Sequence, residues 1–79
     1  MKYLIYQRDG RGKHLRTLET QSLALAKLFA LQNTRGKGVT DILDAETGEV
    51  LYIVVGQGAN MFPKVIDNAD GRYKRIQVG

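Results

Sequence analysis

The sequence predicts one small α+β domain over residues 1–79: an antiparallel sheet with one helix packed on it. The predicted order is β-β-α-β-β plus a weaker C-terminal β-hairpin. Three observations carry this. "VTDILDAETGEVLYIVV" is a hairpin pattern around Gly48. "TQSLALAKLFALQNTRG" has helical composition, with no Gly or Pro before Gly36. Short strand-like runs at both ends are broken by glycine and aspartate turns.

"KYLIYQ" (residues 2–7) is aromatic and branched, and predicts the first strand. "RDGRGK" supplies turn chemistry. "HLRTLE" (14–19) predicts the second strand, with Leu15 and Thr17 on one face and His14, Arg16 and Leu18 on the other.

The helix follows. A hydroxyl from Thr20 or Ser22 can cap its first turn, and Gly36 can supply a left-handed stop. At 100° per residue, Ala24, Leu25, Leu28, Phe29 and Leu31 form a broad apolar stripe, expected to face the sheet. Leu23, Ala26 and Ala30 lie opposite, and Lys27 is the only charge between Leu23 and Leu31. Alanine is tolerable on a surface, but so little polar cover also predicts that Leu23, Ala26 and Ala30 meet another chain or the C-terminal segment.

Strand three is predicted over 39–44 and strand four over 49–55, joined at "AETG". Strand four is apolar on both faces, with Val50, Tyr52 and Val54 on one and Leu51, Ile53 and Val55 on the other. A half-exposed strand alternates, so this one is expected to be central and covered twice. "GQGANMFP" then forms a loop carrying Met61 and Phe62. The last hairpin pairs 64–67 with 72–78 across a turn at 68–71.

The absence of cysteine excludes disulfides and cysteine zinc sites, and His14 is the only histidine. No stretch reads as a signal peptide. "VLYIVV" is far shorter than the roughly 20 residues of a membrane helix. The expectation is a soluble cytoplasmic protein without membrane contact.

The net charge of +4 is unevenly spread. Residues 1–38 hold eight basic and two acidic side chains, whereas 39–63 hold four acids and no Lys or Arg. If folding keeps these apart, the molecule is electrostatically polarised and suited to oriented binding.

No catalytic or cofactor signature survives inspection. "GQGANM" has Met61 where a dinucleotide loop needs its third glycine, and too little chain follows for a β-α-β unit. The tripeptide RGK occurs twice, but neither copy has the upstream glycine or the following Ser or Thr of a phosphate loop. Asp44, Glu46 and Glu49 lack calcium-loop spacing. His14 sits among cations without a sequence partner, and Ser22, the only serine, belongs to the helix start. The chain is expected to be no enzyme, with no metal and no cofactor.

Two functions compete. The leading expectation is a small binding or regulatory module acting by contact with a protein partner or with itself as a homodimer. Leu23, Ala26, Ala30, Met61 and Phe62 are its contact candidates. The alternative is a nucleic-acid-binding accessory protein whose basic loops contact phosphates. Its candidates are Arg8, Arg11, Lys13, Arg16, Arg35, Lys37, Arg72, Lys74 and Arg75, with Tyr6 and Tyr73 as stacking partners. No known nucleic-acid motif accompanies these charges, and turns are often charged only because they are exposed. The choice turns on whether the loops converge.

Overall fold

The computed structural model describes residues 1–68. They form one helix and a five-stranded antiparallel sheet of order β2-β1-β3-β4-β5. The elements are β1 (Tyr3–Arg8), β2 (His14–Thr20), α1 (Leu23–Asn33), β3 (Val39–Asp44), β4 (Val50–Val55) and β5 (Lys64–Asp67). The predicted α+β class and element order are present. The second strand of the last hairpin and most of its turn, with Arg72, Tyr73, Lys74 and Arg75, lie outside the described residues.

Alternation sets the register. β1 pairs in line with β3, placing Ile5 beside Ile42 and Tyr6 beside Asp41. The β1–β2 ladder slips between Gln7 and Arg8, so that Arg8 faces His14. That bulge moves His14 from its expected face to the Thr17 side. There its Nε2 lies 2.8 Å from Thr17 Oγ1, and its ring stacks on Tyr6 at 4.6 Å.

β4 lies between β3 and β5, as its doubly apolar pattern predicts. Tyr52 and Val54 join Ile5, Ile42, Ala26 and Ala30 in the core between sheet and helix. Val50 and Ile53 join Leu43 on the other face, with Leu4, Tyr6, Val39, Val55 and Ile66 packed around them. Full burial of a branched side chain such as Ile42 or Val54 contributes about 1.5–3 kcal/mol before entropic costs.

The helix sits opposite to expectation. Ala26 and Ala30 are 0% exposed against the sheet, with Leu23 and Phe29 packed beside them. Leu25, Leu28 and Leu31 face outward. Leu23, Ala26 and Ala30 are therefore core residues, and Ala26 and Ala30 have no surface to offer a partner. The sheet face beneath is bulky, with Ile5, Ile42, Tyr52 and Val54, so a close-lying helix must present small residues there. Side-chain bulk pointed the wrong way because both faces of α1 are apolar. Ser22 caps the helix, its Oγ accepting from Leu25 N at 3.2 Å, and Gly36 takes φ 57° just beyond its end.

No helix among the described residues is long and apolar enough to cross a membrane.

A candidate polyanion interface at the glycine-loop end

The strands alternate in direction, and α1 runs back against β2. The β1–β2 turn, the α1–β3 loop and the β4–β5 loop therefore share one end of the sheet. Each carries a Gly-x-Gly triplet: Gly10-Arg11-Gly12, Gly36-Lys37-Gly38 and Gly56-Gln57-Gly58. In each triplet one glycine supplies a left-handed turn, with φ 86° at Gly12, 57° at Gly36 and 113° at Gly58. The other permits close approach. A Cβ on Gly38 would stand 2.8 Å from Arg8 O, and one on Gly56 would overlap Gly36 O. Backbone bonds join the last two loops, from Gly56 N to Gly38 O at 2.8 Å and from Gly58 N to Gly36 O at 3.0 Å.

Asp9 organises the first turn. Its Oδ1 accepts from the backbone amides of Arg11 and Lys13, each at 2.9 Å. Those amides, Lys13 first and then Arg11, hold its carboxyl below the usual range. The acid at this end is thus turned onto backbone, while the Arg11 and Lys13 side chains extend outward.

Beneath the loops a polar network pins the helix C-terminus to the sheet. Gln7 Nε2 donates to Asn33 O and to Thr40 Oγ1, both at 3.1 Å. Thr34 Oγ1 lies 2.7 Å from Thr40 Oγ1 and donates to Ala30 O at 2.6 Å. Arg16 Nε donates to Gln7 Oε1 at 2.6 Å, and its guanidinium lies over the Phe29 ring.

The phosphate-contact candidates therefore divide. Arg16 belongs to this network. Arg8 is paired with Asp41, a fully buried residue, at 3.1 Å. Among the described residues Asp41 Oδ1 and Arg8 Nε have no hydrogen-bond partner, and burial pushes the Asp41 carboxyl up despite the Arg8 charge. Arg11, Lys13, Arg35 and Lys37 are exposed and have no ion pair among the described residues. Sequence reasoning missed Lys64, which opens β5 at the same end and is also exposed. The remaining candidates, Arg72, Lys74 and Arg75, are outside the described residues.

Two contact candidates also belong here. Met61 and Phe62 lie on the β4–β5 loop and are 64% and 94% exposed. Met61 N bonds to Gly58 O, and Gly58 N to Gly36 O, so Phe62 stands within a few residues of the second RGK loop. The acids of the β3–β4 turn, Asp44, Glu46 and Glu49, occupy the opposite end. Asp44 Oδ1 accepts from Glu46 N there at 2.8 Å. Among the described residues no three His, Cys, Asp or Glu side chains gather as a metal-holding group.

Compared with known proteins, the chain matches no family model, no curated protein and no solved structure.

Proposed function

We propose that this protein is a non-catalytic nucleic-acid-binding module that holds a phosphate backbone at its glycine-loop end. The observation that carries the reading is the convergence of Arg11, Lys13, Arg35 and Lys37, without ion pairs among the described residues, on two abutting loops. Clustered cations bind phosphates by releasing condensed counterions, and glycine loops admit a backbone closely. Phe62 supplies an aromatic face beside them for an unpaired base, which favours a single strand over a duplex. The acids at the far end orient an approaching polyanion toward the basic end.

A labelled single-stranded oligonucleotide, followed by anisotropy against salt, tests this. Binding is expected at about 50 mM salt, falling steeply toward about 200 mM. Alanine at Arg11, Lys13, Arg35 and Lys37 together should remove it, while Glu46→Ala with Glu49→Ala should not. Absence of binding at the lower salt overturns the proposal.

A further inference from the structure

A separate feature lies on the helix. Leu25, Leu28 and Leu31 are 62%, 50% and 42% exposed on its outer face. Ala24 and Gln32 flank them, also exposed. No charge interrupts this face, because Lys27, the only charged residue of α1, turns to the sheet. Its Nζ lies 5.0 Å from the Tyr52 ring centroid and 3.9 Å from Asp67 Oδ2. Three large leucines in an 11-residue helix make an apolar stripe that water covers unfavourably.

The charges say what covers it. α1 starts at Leu23, just after its Ser22 cap, at the end of the β3–β4 acids, and finishes at the basic loops, where Asn33 O accepts from Gln7. The leucine stripe thus runs along the axis on which the molecule is polarised. Two copies joined by parallel helices would set basic loops beside basic loops and acids beside acids. Joined by antiparallel helices, each copy sets Arg35 and Lys37 toward the other's Glu46 and Glu49. We propose that two copies of this chain pair through Leu25, Leu28 and Leu31 with their helices antiparallel. Leu28 lies at the two-fold axis, and Leu25 of each copy meets Leu31 of the other. Neither copy needs a distinct partner surface, because the stripe is its own complement. The patch is small, so the dimer is weak and forms at high protein concentration. Its two glycine-loop ends point in opposite directions, each next to acids of the other copy.

Sedimentation velocity from about 10 μM to about 1 mM, without nucleic acid, tests the pairing. The expected result is a shift from monomer to dimer mass that Leu28→Glu abolishes with the far-UV spectrum unchanged. Leu25→Ser with Leu31→Ser is the second variant should Leu28→Glu unfold. The chain has no cysteine, so introduced thiols report direction cleanly. Ala24→Cys mixed with Gln32→Cys should cross-link on oxidation, whereas Gln32→Cys alone should not. A wild-type protein monomeric throughout overturns the proposal, as does a dimer that survives both sets of substitutions. Self-cross-linking of Gln32→Cys overturns the antiparallel arrangement.

Discussion

Gly10 rests against Lys37: a Cβ built on Gly10 would stand 3.2 Å from Lys37 Cβ. The two residues belong to the two RGK loops, which are separated by more than twenty positions in the chain and adjacent in space. Close approach of this kind depends on missing side chains. Gly56→Ala must displace Gly36, and Gly38→Ala must displace the Arg8 carbonyl. Each is expected to cost about 1–3 kcal/mol as overpacking. Gly12→Ala meets no atom but carries φ 86°, so its cost is backbone strain of about 1 kcal/mol. Urea unfolding of the three variants should rank them in that order of mechanism, with Gly12→Ala the mildest.

Gln7 is the hub of the buried network below the loops, bonded to Asn33, Thr40 and Arg16. Gln7→Ala leaves Thr40 and the Asn33 carbonyl without its amide. A loss of about 1–3 kcal/mol is expected for the stranded buried partners. Arg16→Ala should likewise act on stability and leave the salt dependence of oligonucleotide binding unchanged. A shallower salt slope in Arg16→Ala would show that it contacts phosphate after all.

Asp41 gives a pH dependence with a definite sign. Burial raises its carboxyl pKa in the folded state above the unfolded value, and Arg8 only partly offsets this. The folded protein therefore favours the protonated acid. Stability from this group is present below the unfolded pKa and is lost as pH rises through the folded one. Asp41→Asn, which cannot ionise, should gain stability relative to wild type between acid and neutral pH. Denaturant midpoints at both pH values measure it. A gap moving the other way would mean that the Arg8 pair outweighs the burial.

Much of this fold was legible in residue pattern. The β3–β4 turn at Gly48 and the central place of β4 followed from alternation and from its loss in "VLYIVV". The helix was legible as a helix, but not which side it buries. Ala26 and Ala30 win the sheet because Ile5, Ile42 and Tyr52 already fill the space between the layers. Large leucines are left outside, and a scale that rewards bulk cannot see that. Convergence of the loops had a signal that went unread, one Gly-x-Gly in every second connection of an up-and-down chain. Arg8 and Arg16 looked equivalent to Arg35 and Lys37 in sequence, and only their partners Asp41 and Gln7 separate them. Ala30→Leu tests the helix placement directly. Overpacking at this buried site should cost about 1–3 kcal/mol or more, while Leu28→Ala on the outer face should change monomer stability little.

Phe62 separates stacking from charge at the proposed interface. Its ring is almost wholly exposed, so Phe62→Ala removes little from the core and should leave the unfolding midpoint where it was. A base stacked on an aromatic ring is worth about 1–3 kcal/mol, so single-strand affinity should fall by roughly 5- to 150-fold. The residue is neutral and releases no counterion. The slope of affinity against salt should therefore stay that of wild type, whereas Lys37→Ala should lower it by about 0.7. A duplex offers no unpaired base, and its weaker binding should be indifferent to Phe62→Ala. Equal losses for single strand and duplex would mean that Phe62 supports the loop rather than reads a base.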